Sequence, residues 1–255
     1  MLLDQRLEFI DSLAALPTVV TPRSFSGDPS ITPLHDIDKP TASVMPATID
    51  AFLPGVSKEI IDDVNLCKLV MQNAASKQYP NPTQLFEWYK YYVDGLKKLG
   101  WVIQSHDLQE VTIRRVGLTI DQISAEIAKG LVTAEGAQVL AKIGKLAVDA
   151  TQKNDRALNI FNRENKIGQQ AKFDIAPVWV DKHNQPNMVL NCISLDARES
   201  TRGILFWKST KQSTTIKTGA VRTYLDDKVF SSLRGALYDK FTDAGRKFIA
   251  DLPDF

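Results

Sequence analysis

The residue whose type and setting most invite chemistry is Cys192. In Met188-Val189-Leu190-Asn191-Cys192-Ile193-Ser194-Leu195, alternation places Met188, Leu190 and Cys192 on one face of an extended segment. Val189, Asn191, Ile193 and Leu195 share the other face. A thiol among apolar side chains has three roles open to it. As inert core its thiolate is suppressed, because desolvation raises its pKa. As part of an apolar pocket with Met188 and Leu190 it would carry or contact a fatty acyl chain. As a nucleophile it would need a base, and His183, across a turn, is the histidine near it in sequence.

Other reactive groupings are absent from the sequence. His35, His106 and His183 lie in three separate regions, and no Cys-x-x-Cys or His-Glu-x-x-His spacing preassembles metal ligands, so no metal is expected. Gly144-Lys145 lacks a preceding glycine loop and falls inside a helical pattern, where backbone amides are already committed. There is no Gly-x-Gly-x-x-Gly after a strand and no Gly-x-Ser-x-Gly elbow. The net charge of +1 gives no reason to expect nucleic acid. One further surface is a candidate. The rings of Phe86, Trp88, Tyr89, Tyr91 and Tyr92 go too far around their helix to form one buried stripe. Some of these rings are therefore expected to meet another layer, a ligand or a partner, with Trp88 and Tyr91 as the candidates for contact with a membrane or a protein partner of unknown identity.

The elements that must position these residues change character along the chain. Leu3, Leu7, Ile10 and Leu13 have helical spacing, and Pro17, Pro22, Pro29, Pro33, Pro40 and Pro46 then bias the backbone toward extended geometry. Residues 1–46 thus read as a short helix plus a proline-rich leader, and 47–255 as a single α+β domain. Ser57 is an expected N-cap for a helix whose Ile60, Val64, Cys67 and Met71 form one apolar stripe. Asn81, Pro82 and Gln84 signal the start of the aromatic helix, and Gly100 ends it. A strand is expected near 101–116, and residues 118–150 read as an apolar helical hairpin opened by Thr119 and Thr133. The carboxyl-terminal third switches to period two. Its strand candidates are Lys172–Val180, Met188–Leu195, Gly203–Lys208 and Thr214–Tyr224, whose short links favour an antiparallel meander. Pro177 suggests an edge strand or a bulge. A last amphipathic helix begins at about Asp226. The expected fold is α+β, a mostly antiparallel sheet covered by helices.

Charge and cysteine usage add boundary conditions. Residues 1–63 hold four Lys/Arg against ten Asp/Glu, whereas 198–222 hold six against one, so two faces of opposite sign are expected. Cys67 and Cys192 both sit in apolar periodic segments, which predicts buried thiols rather than a disulfide. Asp4, Arg6, Glu8 and Asp11 interrupt any secretory signal, so synthesis in the cytoplasm is expected, with release by a leaderless route left open. The Ser/Thr-rich, lysine-bearing segment Ser209–Thr223 suits either a strand able to enter a membrane barrel or an ordinary edge strand.

The acidic proline-rich leader, the Trp-Tyr helix ending in Leu99-Gly100-Trp101, the apolar hairpin and the Leu190-Asn191-Cys192 meander together resemble the Evf-type bacterial virulence factors. That family is likened in fold to the Cyt cytolytic toxins. The resemblance implies an acyl-bearing or lipid-contacting thiol at Cys192. Three expectations follow. The leading one is a non-enzymatic lipid-binding or membrane-active protein of virulence-factor or toxin type. The second is a thiol-nucleophile enzyme using Cys192 with His183. The third is an interaction module presenting Trp88 and Tyr91. No cofactor beyond a fatty acyl group is expected.

Overall fold

The computed structural model describes residues 1–17, 35–81, 83–104, 107–113, 116–129, 131–163, 170–196, 203–209, 214–252 and 254–255. In chain order the elements are α1 (Leu3–Ser12), β1 (Thr41–Met45), β2 (Thr48–Phe52), α2 (Lys58–Gln78), α3 (Leu85–Lys98), β3 (Trp101–Ile103) and β4 (Asp107–Ile113). There follow α4 (Ile120–Ala128), α5 (Ala134–Lys153), α6 (Asp155–Phe161), β5 (Gln170–Val180), β6 (Pro186–Asp196), β7 (Thr214–Leu225), α7 (Asp227–Gly245) and β8 (Ala250–Leu252). Most helix starts follow their local chemistry. Ser57 Oγ accepts from Ile60 N and Thr133 Oγ1 from Gly136 N, while Asp226 accepts from Lys228 N and Val229 N. The aromatic helix begins later than its signals suggest. Asn81 closes a turn by accepting from Thr83 N, and α3 opens only at Leu85.

One sheet runs in the order β3-β7-β6-β5-β2-β1-β8, with β4 also on β7. Its pairs are antiparallel except β2 with β5, so the sheet is mixed, and the expected mostly antiparallel α+β architecture holds with that one parallel joint. Two further expectations need correction. Gly203–Lys208 is no strand: Ile204–Phe206 form a 3-10 turn that plugs Ile204, Leu205 and Trp207 into the core, and β6 pairs directly with β7. Thr41–Met45, expected within the leader, is a buried strand of the sheet. Pro40 and Pro46 flank that strand rather than interrupt it, and Ala47, at φ 57°, turns it into β2. Pro177 lies on an interior strand. The β5–β6 ladder pairs Asp174 with Cys192 and resumes at Val178 with Met188, leaving a gap around the proline. Residues 198–202 and 210–213 of the basic stretch lie outside the described residues, as does His106.

Helices cover both faces of the sheet. On one, α1, α2, α3 and α7 pack Ile10, Met71, Tyr92, Leu96 and Phe230 against Met45, Phe52, Val178, Met188, Leu190 and Val221. On the other, residues from α4, α5 and α6 such as Ile123, Ile143, Ala147, Ile160 and Phe161 meet Val44, Ile49, Phe173, Ile175, Ile193 and Ile216. The alternation read around Cys192 is reproduced: Met188, Leu190 and Cys192 face the first layer, and Ile193 and Leu195 the second. Among the described residues no helix is long and apolar enough to cross a membrane.

Candidate functional site

The Cys192 sulfur belongs to the first layer, and its side of the sheet holds the most polar ground of the core. Cys192 is 4% exposed and stands opposite Asp174 on β5 and Gly219 on β7. Burial pushes the thiol up to about 12; Lys172 and Lys68 pull it back, while Asp174 adds to the rise. At that value about one thiol in 10⁵ is ionised at neutral pH, too few for a nucleophile. His183 does not help. It sits exposed in the β5–β6 turn, where Asp181 Oδ1 accepts its backbone N–H at 2.8 Å. Six strand positions, about 20 Å of extended chain, separate Pro186 at the turn from Cys192. The structure does not bring the expected pair together.

Beside Cys192 lies a group that the sequence reading did not single out. Lys68, fully buried on α2, donates to Asp50 on β2 and, at 2.8 Å, to Asp174 on β5. Asn65 and Gln72 extend this row along the helix, donating to Ser43 Oγ and Thr48 Oγ1. Residues 65, 68 and 72 follow the helical spacing of three and four, so one stripe of α2 is polar and faces the sheet. Ile60, Val64, Cys67 and Met71 supply the apolar stripe that the sequence reveals, and both stripes are buried.

Charges in this cluster do not balance. Burial would lower the Lys68 pKa, but attraction from Asp174 and Asp50 and the two hydrogen bonds raise it above the ordinary lysine value. Asp174 is well supplied, since Oδ1 accepts from Asn191 N at 2.9 Å and Oδ2 from Lys68. Among the described residues Asp50 is hydrogen-bonded by Lys68 alone, and its Oδ2 has no hydrogen-bond partner. Burial first, opposed by Lys68 and reinforced by Asp174, pushes Asp50 up to about 6. One lysine cannot neutralise two enclosed carboxylates, so the one with fewer partners, Asp50, holds a proton more readily than an ordinary carboxylate and takes it up as pH falls through about 6. Such a cluster orders the core and sets a proton equilibrium. It offers no exposed nucleophile.

The aromatic helix is also placed differently from expectation. Trp88 is 5% exposed, its Nε1 donates to Ser76 Oγ at 3.1 Å, and Lys172 Nζ lies 3.4 Å from the centroid of its ring. Trp88 is thus core rather than a partner-facing ring, because the α3 amino end is roofed by α2 and β5. Tyr89 and Tyr92 point into the same layer, with hydroxyls lacking a hydrogen-bond partner, and burial raises both pKa values. Tyr91 is half-buried and faces outward with Tyr79, their centroids 6.0 Å apart at 71°.

The second face is held differently. The α4–α5 hairpin covers β5, β6 and β7 with Ile120, Ile123, Leu140, Ile143 and Val148. Its apolar packing is close at Gly144, where a Cβ would stand 3.7 Å from Ile175 Cγ2. Asn191 Nδ2 donates to the Ser124 carbonyl at 3.0 Å. Among the described residues no ion pair crosses this interface, and Ser124 Oγ, Asn191 Oδ1 and Thr218 Oγ1 are buried without a hydrogen-bond partner. No group of three His, Cys, Asp or Glu able to hold a metal occurs among the described residues.

No family model matches the chain, and no curated protein matches it. Among solved structures it is similar to that of the Evf virulence factor, at 10% identity over 94% of this chain and 90% of that one, with a TM-score of 0.36. It is also similar to a delta-endotoxin, at 12% identity over 83% of this chain and 91% of that one, with a TM-score of 0.39. Neither likeness transfers a residue role to this chain.

Proposed function

We propose that the chain is a non-enzymatic, membrane-active protein of toxin type, whose α4–α5 hairpin leaves the sheet at a lipid surface. The observation that carries this reading is the unequal attachment of the two helical layers. A buried ion cluster and a polar row bolt α2 to β1, β2 and β5, whereas α4 rests on β5–β7 and α5 on β1, β2 and β5 through mainly apolar side chains, with the Asn191–Ser124 hydrogen bond as a polar tie. Detachment in water would expose Leu118, Ile120, Ile123, Leu140, Ile143 and Val148, at about 1.5–3 kcal/mol each. A lipid interface removes that cost, because it accepts the same apolar face. The sheet face uncovered includes β5 and β6, of 11 residues each, and β7, of 12, while their other face stays covered by α2 and α3.

Cys192 enters as a core residue of the layer that stays in place. An acyl chain on its sulfur would have to lie between α3 and the sheet, and the intact mass before and after hydroxylamine decides whether a thioester is present. The main test is release of a trapped dye from anionic vesicles by a Gly144→Cys/Ile175→Cys protein. The oxidised form, with α5 tied to β5, should be inactive, and reduction should restore leakage. Equal leakage from both forms, or none from the wild type with any vesicle, contradicts the proposal.

A further inference from the structure

On the opposite side of the molecule from the hairpin, α1 lies across the carboxyl end of α3 and leaves an open groove of about 530 Å³. That volume is within the range that encloses a small ligand. Its floor is aromatic, made by Phe9, Tyr79 and Tyr91. Its charge is uneven: Arg6, Lys90, Lys97 and Lys98 line it against Glu87 and Asp94, a balance of four cations to two acids. Asp94 is already committed, accepting from Lys90 at 2.6 Å and Lys97 at 3.0 Å, and these bonds hold its carboxyl below the usual range against the effect of burial.

The remaining charges are separated along the groove. Glu87 sits one turn into α3, and Lys98 eleven residues later at its end, about 16 Å away along the axis. A helix carboxyl end ordinarily repels anions. Here Arg6 Nη1 donates to the carbonyls of Lys97 and Lys98, at 3.0 and 2.6 Å, and cancels that effect. Lys98 Nζ stands 4.3 Å from the centroid of the Phe9 ring, so the cationic end abuts the aromatic floor. Met1, 63% exposed, also lines the groove.

We propose that this groove binds an anionic single-chain amphiphile, with its head beside Lys98 and Arg6 and its chain across Tyr91 and Tyr79. The site lies on the α1–α3 layer and does not depend on movement of the hairpin or on Cys192. The probe is a dansyl-labelled undecanoic acid below its critical micelle concentration, displaced by dodecanoate and followed by fluorescence. Saturable one-site binding is expected, weakened about tenfold or more by Lys98→Glu and by Tyr91→Ser, each a loss of about 1.4 kcal/mol. Thermal melting confirms that both variants fold. Cys192→Ser should bind like the wild type. Unchanged affinity in both groove variants, or displacement by an uncharged dodecyl amphiphile as effective as dodecanoate, would overturn the assignment. Loss of binding in Cys192→Ser alone would instead move the ligand to the sheet face. Vesicle leakage by the groove variants separates this proposal from the hairpin reading, since that motion uses none of these residues.

Discussion

Two carboxylates and one ammonium share a dry space between α2 and the sheet, and protonation of Asp50 is the cheapest way to even their charge. Its folded pKa, about 6, lies above the ordinary 3.8. This group therefore contributes stability that is fully present below the unfolded value and is lost as pH rises through 6. Between pH 8 and pH 5 the wild type should gain about 1–1.5 kcal/mol relative to Asp50→Asn, which has no proton to bind there. Urea unfolding of both proteins at the two pH values checks this, and a pH-independent difference between them would refute it. The direction bears on function. Mild acid tightens the α2 side of the sheet, so acidification does not release that layer. Lys68 itself was hard to see in the sequence. A lysine between Cys67 and Leu69 reads as one solvated position of an amphipathic helix, and only the distant Asp50 and Asp174 reveal why it is buried.

At the scale of elements, α2 and α3 approach closely because position 95 carries no side chain. A Cβ there would come within 1.9 Å of the Met71 Cε. Replacing a helical glycine by alanine ordinarily stabilises by up to about 1 kcal/mol. In Gly95→Ala the crowding of a fully buried Met71 should reverse that sign and cost about 1–3 kcal/mol. Met71→Ala in the same chain should recover part of the loss, as read from denaturation midpoints; a stabilised Gly95→Ala would show that the helices are more loosely apposed. Strands β5, β6 and β7 were legible because alternation persists over eleven or twelve residues. Strand β1 was hidden by Pro40 and Pro46 at its two ends, and Ile204–Phe206 looked extended because its apolar residues fill a core gap without pairing. Of the candidate site, the face of Cys192 was readable from period two. The burial of Trp88 was not, since it depends on Lys172 and Ser76 reaching the ring from other elements.

The whole molecule is a long-stranded mixed sheet between two unlike covers. One is fixed by a buried ion cluster and a row of hydrogen bonds, and includes the groove between α1 and α3. The other is an Ala- and Gly-bearing hairpin whose contacts are of the kind a lipid surface can replace. Function on this account is a difference in attachment, expressed only when the solvent beside the hairpin changes from water to lipid. Amide hydrogen exchange with and without anionic vesicles measures that difference directly. The account predicts that residues 120–153 lose protection or change it on vesicle addition while 58–78 keep theirs; unaltered exchange in the hairpin of vesicle-bound protein, or an equal loss in α2, would contradict it.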